Sequence, residues 1–357
     1  MHVLYLSGKR AREVTLLESL KNRGELYYAH FRLNSRSSIA GLEVPDLRAL
    51  VSWFRDSRFG RPDVILTEGP GWVSLVGLAL KYAYGVPIGV RVKGDLWSEF
   101  GEREHRIALH KRLVKHLNYY SAQAILRYAE ALLPISEHIN KMIGANVRKR
   151  KRTYIVHIPY KTDIAVEREG CRGCADGEPF VLSVTNFNFW KKVEPLLTTV
   201  NRTCHLLEQL GVRWLILGEG MFRDRFQKGM IPGAKERVQV LGYRDPRVFY
   251  KAAKGLFHIS GMDGLPNVIL EASRSKVPIV MNAGCPAAEF IIDGVTGVLL
   301  DISDERMVAD VMTRLAINHG YGQALGEAAF KSVTERFSVE RVSEQLLVAL
   351  ESLVRGA

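Results

Sequence analysis

The sequence predicts an α/β protein with two separate parallel sheets, and three observations support this prediction. At 357 residues the chain is long enough for two ordinary domains. Short apolar runs alternate with longer helical stretches, and the alternation occurs twice. The apolar runs are nearly continuous, which is typical of strands buried on both faces of a parallel sheet. Two Rossmann-like domains facing across a cleft are therefore expected, with ligands binding beyond the carboxyl ends of the strands.

Each half of the chain supplies its own set of elements. In the first half we expect strands at 2–6, 62–67, 87–92, 131–136 and 154–159, and helices at 11–23, 72–84 and 103–128. In the second half we expect strands at 180–185, 213–218, 238–242, 255–260, 278–282 and 297–300, and helices near 193–210, 246–253, 266–275 and 304–318. A final helix is expected at about 338–354, with Ser338 as its N-cap and Glu340 placing negative charge in its first turn.

The predicted domain boundaries follow from where this alternation is interrupted. A turn-rich segment separates the two halves and contains Cys171 and Cys174. No second ligand pair follows them at finger-like spacing, so a linker turn is favoured over a zinc site. The boundaries are expected as a first domain over 1–165, a linker over 166–178, a second domain over 179–337, and a C-terminal helix over 338–357 that packs back toward the first domain.

The composition is that of a soluble globular protein, with 47% hydrophobic and 25% charged residues. No apolar run reaches the roughly 18 residues of a membrane span. The opening "MHVLYLSGKR" passes directly from apolar to charged residues, unlike a signal peptide. Four cysteines do not indicate a disulfide framework. We therefore expect a cytoplasmic protein.

The formal net charge of +12 is concentrated in one region. Residues 101–152 contain twelve Lys or Arg and four Glu, a net of +8, and end in the pentad "RKRKR". Such a region attracts anionic lipid head groups, nucleic-acid phosphates or anionic substrates, and it is equally compatible with a solvated face. Its aromatic residues are Tyr119 and Tyr120, with Tyr128 further along; they do not form an interleaved aromatic platform, so nucleic acid is not the expected partner. Peripheral association with the cytoplasmic face of an anionic membrane is the hypothesis we retain.

Several of the second-half strands are followed by residues suited to an anionic ligand. Asn186, Lys191 and Lys192 follow the first of these strands, and Gly218 and Gly220 follow the second and permit close backbone approach. Tyr243, in "LGYRDP", follows the third. The carboxyl ends of parallel strands meet at one edge of a sheet, so these groups are expected to converge.

The stretch "GMDGLPNVILE" follows the fourth strand. Gly264 permits a turn, and Pro266 fits the first turn of a helix, where its missing N–H costs nothing. The N–H groups of Asn267 and Val268 would then form an anion site together with the helix dipole. Asp263 lies before this turn, and helical side chains lean back toward the N-terminus, so Glu271 can reach the same space.

A phosphate flanked on both sides by hydroxyl-bearing groups satisfies this arrangement, because a bare phosphate would not need the two acids. A nucleotide-sugar is such a ligand. On spacing alone, Asp263 could equally be an ordinary turn residue and Glu271 a surface helix residue.

Residues 255–300 closely resemble the donor-binding core of the group 1 retaining glycosyltransferases, which have the GT-B fold. The family pattern is an acid, a Gly-rich turn, a second acid eight positions on, an apolar strand, a loop ending in Glu, and Asp-Gly-x-Thr-Gly. This sequence supplies Asp263, Gly264-Leu265-Pro266-Asn267, Glu271, Val277 to Val280, Glu289 and 293–297. Weaker similarity spans nearly the whole chain.

The resemblance implies roles for the acids and the turn. Glu271 would accept hydrogen bonds from the nucleotide ribose, and Asp263 would hold hydroxyls of the donor sugar. The backbone of 264–268 would bind the diphosphate with a lysine. Asp263 is one methylene shorter than the Glu usual in the family.

The resemblance also locates basic and first-half residues. Asn186 stands where the family usually carries Arg, Lys191 matches the family's Lys, and Lys192 stands where Gly is usual and would compensate for the lost charge. Asp95 lies at the strand end where the family often has His or Asp near the reacting carbon. Gly8 keeps part of a Gly-Gly loop after the first strand and is a candidate for the cleft.

The reaction implied by the resemblance is a retaining transfer of a sugar from a UDP- or GDP-linked donor to a hydroxyl acceptor, such as a lipid-linked or cell-surface glycan precursor. No Asp-x-Asp motif is present, so we expect neither a metal nor a cofactor, and Lys191 with the helix N-terminus would neutralise the diphosphate. Two alternatives remain open, a nucleotide-sugar epimerase on the same fold and a basic nucleic-acid binder. A Rossmann dehydrogenase is disfavoured because no G-x-G-x-x-G follows the first strand.

Overall fold

The computed structural model describes residues 1–7, 14–32, 37–39, 42–44, 61–94, 96–97, 109–147, 151–160 and 177–356. Gly8, Asp95, the Cys171–Cys174 pair and most of the predicted linker lie outside these residues. The chain divides into two units, one comprising Met1–Pro159 and Phe337–Ala357, the other Tyr160–Arg336.

The first unit contains a six-stranded parallel sheet and a short antiparallel pair. The strands are β1 (His2–Ser7), β2 (Tyr27–Arg32), β3 (Ser37–Ile39), β4 (Leu42–Val44), β5 (Val64–Glu68), β6 (Ile88–Val92), β7 (Ala131–Pro134) and β8 (Arg152–Thr153). The sheet order is β2-β1-β5-β6-β7-β8, and β3 pairs with β4. The central strands β5, β6 and β7 are almost entirely buried, as expected for a parallel sheet.

In the described part of the first unit, the helices before the linker region are α1 (Val14–Asn22), α2 (Trp72–Tyr84), α3 (Leu109–Tyr128) and α4 (Glu137–Asn146). The sequence interpretation missed α4. Its signals were the N-cap Ser136, whose Oγ accepts from the N–H of Ile139 at 3.2 Å, and the buried pair Ile139 and Ile143 one turn apart.

The strand predicted at 154–159 is wrong. The structure ends β8 at Thr153, and the chain runs on with backbone hydrogen bonds only from Tyr154 and Val156 to the neighbouring strand. The physical reason is Arg91, whose fully buried guanidinium donates to the carbonyls of Val156 at 2.5 Å and His157 at 3.0 Å. These carbonyls are bonded to a side chain instead of another strand.

The second unit contains six parallel strands: β9 (Phe180–Val184), β10 (Arg213–Leu217), β11 (Val238–Gly242), β12 (Ala253–His258), β13 (Ile279–Asn282) and β14 (Val298–Leu300). Their order is β11-β10-β9-β12-β13-β14. Along the chain, β10 and β11 are therefore added on one side of β9, and β12, β13 and β14 are then added on its other side. In a sheet of this type the point of reversal, between β9 and β12, is where ligands bind.

The helices that accompany this sheet are α5 (Trp190–Gln209), α6 (Arg223–Gly229), α7 (Pro232–Arg237), α8 (Arg247–Tyr250), α9 (Asn267–Arg274), α10 (Glu305–Ile317) and α11 (His319–Arg336), and the chain ends in α12 (Val339–Arg355). A 3₁₀ turn spans Pro286–Phe290. The helix predicted at 246–253 is shorter than expected, because β12 already begins at Ala253. With two parallel sheets flanked by helices, the α/β prediction is confirmed.

A buried hydrogen-bonded chain connects the three strands at the point of reversal. The indole N–H of Trp214 on β10 donates to Ser183 Oγ on β9 at 2.9 Å, and this hydroxyl donates to the carbonyl of Phe257 on β12 at 2.5 Å. All three side chains are at most 1% exposed. Satisfied buried polar groups of this kind fix one arrangement of the strands beneath the loops that follow them.

The last helix, α12, packs in the first unit. Ser338 caps it by accepting from the N–H of Arg341 at 3.1 Å, as the sequence predicts. Its buried face joins the apolar core of α1 and the sheet, and a Cβ placed on Gly89 of β6 would lie 3.0 Å from Leu353 Cδ1. Ser343 Oγ donates to the carbonyl of Leu16 at 3.3 Å.

None of the helices in the described ranges combines the length and the apolar character that crossing a bilayer requires.

Candidate functional site

The loops that follow β9 and β12 meet at the point where the strand order of the second sheet reverses. Lys192, in the first turn of α5, donates from Nζ to Oδ1 of Asp263 at 2.6 Å. The side chains are 16% and 14% exposed, so the contact is only partly open to water. An ammonium group has three N–H donors, and this contact uses one of them. The pair thus places a carboxylate and a partly available cation at the ligand-binding edge.

The second oxygen of Asp263 faces His258, the last residue of β12. Nε2 of His258 lies 3.2 Å from Oδ2, and the imidazole is 3% exposed. The alignment is not that of a hydrogen bond, and within the described chain neither buried atom has another partner. Burial alone would raise the pKa of Asp263, but His258 and Lys192 together outweigh it and hold the pKa below its ordinary range. Asp263 is therefore ionised at neutral pH.

The loop before Asp263 is held from the neighbouring strand. Asn282, at the end of β13, accepts the N–H of Ser260 at 2.9 Å and donates to its carbonyl at 3.0 Å. Cys285 contacts the carbonyl of Asp263 through Sγ at 3.6 Å. Burial raises the pKa of this thiol to about 12, so it stays protonated. Asp263 is thus placed by β12, β13 and α5 together.

The helix that follows the turn at 264–266 begins one residue later than predicted. α9 starts at Asn267, and Pro266 is its N-cap with extended backbone angles, so the placement of Pro266 within the first helical turn is wrong. The first backbone hydrogen bond of the helix runs from Ile269 N–H to the carbonyl of Pro266 at 3.1 Å. The N–H groups of Asn267 and Val268 come before it and are directed out of the helix end, as an anion site requires.

The two residues between Asp263 and Pro266 differ in exposure. Gly264 is half-buried, whereas the side chain of Leu265 is buried. Only the backbone of Leu265 is therefore available to a ligand.

Glu271 lies in the second turn of α9 and is half-buried. Tyr250, which is 1% exposed, donates its hydroxyl to Oε2 of Glu271 at 3.2 Å and also lies 3.5 Å from the carbonyl of Val268. Burial, and then the Glu271 charge, raise the pKa of Tyr250 well above its ordinary value. Tyr250 therefore remains a donor that restrains one side of the carboxylate.

The two basic candidates after β9 are placed differently. Lys192 reaches Asp263, whereas the side chain of Lys191 is exposed. Asn186, which stands in the family's Arg position, is exposed and accepts the N–H of Asn188 at 2.8 Å. The structure therefore brings Lys192, and not Lys191, to the first acid.

The glycine candidates approach the protein's own loop. Gly218 and Gly220 have φ angles of +146° and +149°. A Cβ on Gly218 would lie 1.9 Å from the carbonyl oxygen of Thr185, and one on Gly220 would lie 2.4 Å from the carbonyl carbon of Phe187. These glycines thus allow the loop after β10 to pack on the loop after β9.

Tyr243 is placed by a neighbouring acid. It follows β11 and is 78% exposed, and its N–H donates to Glu219 Oε1 at 3.3 Å.

A model of the family described as "Glycosyl transferases group 1" matches residues 178–318, which cover the whole of this site. Residues 178–318 therefore match the group 1 glycosyltransferases, the family that the sequence resembles. The match includes Lys192, Asp263 and Glu271, so the expected family is confirmed.

Two curated proteins resemble this chain over part of their length. The lipopolysaccharide core biosynthesis glycosyltransferase LpsE of Rhizobium meliloti (strain 1021) is 28% identical over 191 residues, which are 53% of this chain and 54% of LpsE. The N-acetyl-alpha-D-glucosaminyl L-malate synthase of Bacillus anthracis is 26% identical over 175 residues, 48% of this chain and 45% of the synthase. The chain thus spans about half the length of these relatives.

Solved structures confirm the fold over the whole chain. Sucrose-phosphate synthase (tll1590) from Thermosynechococcus elongatus has a TM-score of 0.69 at 16% identity, with 100% of this chain and 99% of that chain covered. Anabaena Alr3699/HepE in complex with UDP has a TM-score of 0.68 at 15% identity, with coverages of 99% and 100%. The GT-B fold, with two Rossmann-like domains, is therefore established.

Sequence reasoning missed three side chains at the site: His258, Tyr250 and Asn282. His258 contacts Asp263, Tyr250 contacts Glu271, and Asn282 holds the backbone of Ser260 in the loop before Asp263. A histidine at the end of an apolar strand was the signal for His258. No sequence pattern points to Tyr250, because its contact with Glu271 joins residues 21 positions apart on two helices.

Proposed function

We propose that the protein is a retaining glycosyltransferase that moves a sugar from a nucleotide-diphosphate sugar to a hydroxyl acceptor. The observation that carries this proposal is the Lys192–Asp263 contact at the point of strand reversal, directly before the N-terminus of α9. A cation, a helix N-terminus and an ionised carboxylate at one edge of the sheet match a phosphate with a hydroxyl-bearing group beside it.

The proposed donor is a UDP- or GDP-linked sugar. The diphosphate would be bound by the N–H groups of Asn267 and Val268 and by Lys192, with Lys191 approaching from solvent. Glu271, restrained by Tyr250, would accept hydrogen bonds from the ribose, and Asp263 would hold sugar hydroxyls. Solved HepE complexes with UDP and with UDP-glucose support a uridine nucleotide as the first donor to test.

The remaining residues after the other strands are proposed to line the donor site. The backbone around Gly218 and Gly220 and the exposed Tyr243 would face the nucleoside end, and Asn186 would lie beside the phosphates. Gly264 and Leu265 would contribute backbone groups only. Gly8, outside the described residues, is proposed for the corresponding loop of the first unit.

The proposed chemistry relies on preorganised charge. Negative charge develops on the departing diphosphate, and an ammonium already held in place by Asp263 stabilises that charge without reorganising. The acceptor hydroxyl would attack on the face from which the diphosphate leaves, and the leaving phosphate oxygen would take its proton, so that configuration is retained. We propose that no metal participates. Asp95, outside the described residues, is proposed to act near the reacting carbon.

The proposed acceptor is a glycan or a lipid-linked sugar, and the relative LpsE, named for lipopolysaccharide core biosynthesis, supports a glycan. A surface of α2 and α3 supports peripheral binding to a membrane. Tyr82 is 66% and Tyr120 is 65% exposed, and Lys81 Nζ donates to the carbonyl of Tyr128 at 2.9 Å, which joins the two helices there. The exposed Arg127 guanidinium lies 5.9 Å from the ring centroid of the exposed Tyr128, and exposed tyrosines beside such a cation favour an anionic lipid interface.

Thermal unfolding measured with UDP, GDP, ADP and their glucose or mannose conjugates tests the donor. A ligand at 100 times its Kd adds about 2.7 kcal/mol of stability, which is readily measured. Stabilisation by one nucleotide family, weakened in Glu271→Ala and kept in the exposed control Glu236→Ala, is the expected result. No stabilisation by any nucleotide would contradict the proposal. Conversion of the donor sugar without an acceptor would instead identify an epimerase.

Sedimentation with vesicles tests the membrane interface. We expect binding to phosphatidylserine-containing vesicles at low salt, reduced at high salt and in the double variant Tyr82→Ser, Tyr120→Ser. Neutral phosphatidylcholine vesicles are the control. Equal binding to both vesicle types, or to neither, would argue against an anionic-lipid site, whereas a shift of labelled DNA would favour nucleic acid as the partner.

A further inference from the structure

We propose that His258 is the positioning residue for Asp263, holding carboxylate oxygen Oδ2 so that Oδ1 and its partner Lys192 are presented to the donor. The proposal rests on the glycosyl-transfer function proposed above and adds to it a residue that does not itself touch substrate. Its basis is the geometry of three side chains on two elements, β12 and α5, and the loop after β12, which flank the point of strand reversal.

The two oxygens of Asp263 have different environments. Oδ1 accepts from Lys192 at 2.6 Å, and this side chain is 16% exposed. Oδ2 lies 3.2 Å from Nε2 of His258, whose side chain is 3% exposed. One oxygen therefore belongs to the partly open side of the loop and the other to its interior. Holding Oδ2 in place restricts rotation of the carboxylate, and this restriction fixes the direction in which Oδ1 points.

The contact between His258 and Asp263 is close but not aligned. Nε2 and Oδ2 are both buried, and within the described chain neither has a hydrogen-bond partner. Two unsatisfied polar atoms facing each other at 3.2 Å need only a small rotation to form a hydrogen bond. Hydrogen bonds at active sites are often poorly aligned without substrate and tighten when it binds. Donor binding at Oδ1 and Lys192 would supply that rotation.

His258 is well suited to this role because its backbone is held within the sheet. It ends β12, which pairs with β13 in register at His258 and Met281, and the loop beyond it is fixed by Asn282 through both backbone groups of Ser260. Among the residues that the structure describes, the titratable or charged groups facing Asp263 are Lys192 from α5, His258 from β12, and the protonated Cys285 thiol from the turn after β13. Of these, only His258 reaches Oδ2.

This positioning also accounts for the short acid. Asp263 is one methylene shorter than the Glu usual at this place, so its carboxylate lies closer to the backbone and within reach of a strand residue. A longer side chain would carry its oxygens away from His258. Asp263, His258 and Lys192 therefore act together, and replacing Asp263 or His258 alone should impair the positioning of Lys192.

The test uses the full chain with UDP and UDP-glucose as first probes, and compares His258→Phe, His258→Gln and the control Phe257→Leu. Phe keeps the ring volume without a donor, and Gln restores an N–H near the position of Nε2. Phe257 is the adjacent buried residue of β12, and its ring packs on Trp214. Affinity for UDP is measured by calorimetry, and turnover of UDP-glucose from acid to neutral pH by release of UDP.

His258→Phe should lower kcat by roughly 10- to 100-fold, with a much smaller loss of UDP affinity, because Lys192 is kept but the reacting groups are no longer held in register. The acid limb of its kcat/KM profile should move to higher pH, since Asp263 loses a group that keeps it ionised. His258→Gln should recover most of the activity. Phe257→Leu should lower the melting temperature without moving the pH profile.

Three results would overturn the inference or its basis. A His258→Phe variant with wild-type kcat and pH profile would overturn the role of His258 alone. If His258→Phe does not fold, the His258→Gln variant decides. Near-wild-type kcat and pH profile in His258→Gln would support the inference, because Gln restores the N–H. A lowered kcat with a shifted pH profile in His258→Gln would overturn it. A wild-type protein that binds no nucleoside diphosphate would overturn the proposed function, and this inference with it.

Discussion

The buried hydroxyl of Tyr250 donates to Oε2 of Glu271 across 3.2 Å, joining α8 to α9 beneath the proposed ribose site. Glu271→Ala should weaken nucleoside diphosphate binding roughly 10- to 100-fold, because a hydrogen bond to a charged group contributes about 1.5–3 kcal/mol. Tyr250→Phe should weaken it by about fivefold, since it removes only the restraint on the carboxylate. Calorimetry on both variants, with Glu236→Ala as control, measures the difference. Equal affinities in all three variants would exclude Glu271 from the site.

Asp95→Ala should separate catalysis from binding. The nucleotide is proposed to bind in the second unit, so its affinity should be unchanged in this variant. Transfer should fall by about 100-fold or more if Asp95 acts at the reacting carbon. Measuring UDP affinity and product formation on the same preparation tests this directly. Lost affinity with intact chemistry would assign Asp95 to the donor site instead.

Lys192→Met should lower stability in a way that depends on pH. The pKa of Asp263 is lowered in the folded state, so its contribution is fully present above the unfolded value near 4 and is lost as pH falls below it. At neutral pH the free energy of unfolding should fall by on the order of 3 kcal/mol, because a buried charge loses its partner. Urea unfolding between neutral and strongly acidic pH should show the variant and wild type converging in acid.

The exposed Lys228→Met is the matched control for this experiment and should change stability little at any pH. A Lys192→Met defect that stays constant into strong acid would show that the lost term is packing by the aliphatic stem, and not the charge of the pair.

Much of the fold and part of the site follow from sequence. Continuous apolar runs predicted the strands from β9 to β14 because parallel strands are buried on both faces. The spacing of Asp263 and Glu271 around a turn predicted an acid on each side of a helix start. The prediction placed Pro266 one position too far into the helix, because its fixed φ suits both the N-cap and the first turn.

What sequence could not predict depends on contacts between distant residues. The family pattern assigns the diphosphate lysine to Lys191, yet the side chain that reaches Asp263 is that of Lys192. The two neighbours differ only in the direction in which each side chain leaves the start of α5. The strand at 154–159 is absent because Arg91, which lies 65 positions before Val156, bonds its carbonyls. Neither fact is encoded in local periodicity.

Arg91→Met should destabilise the first unit by on the order of 3 kcal/mol, since it leaves buried carbonyls without donors. Besides Val156 and His157, the guanidinium also donates to the carbonyl of Leu133 at 3.2 Å. The exposed Arg355→Met, which breaks a pair with Glu351 on the helix surface, should cost less than about 0.5 kcal/mol. Chemical unfolding followed by circular dichroism compares them. Similar values for the two would mean that water replaces Arg91 at these carbonyls.

Gly220→Ala should cost about 1–3 kcal/mol, because its Cβ would overlap the backbone at Phe187 and Asn188. Gly233→Ala is the control, since its Cβ would lie 3.5 Å from Cys204 Sγ in ordinary contact, and alanine favours the helix there. Differential scanning calorimetry should show a lower melting temperature only for Gly220→Ala. A neutral Gly220→Ala would mean that the two loops separate readily.

The placement of α12 also governs the order in which the chain can fold during synthesis. The ribosome releases residues 1–159 early, but the apolar face of α1 with Leu16, Leu17 and Leu20 has its partner helix only once residues up to Leu353 have emerged. All residues of the second unit leave the ribosome before that moment. The nascent first unit must therefore wait with an uncovered core while the second unit is completed, and it is during this interval that chaperones would be needed.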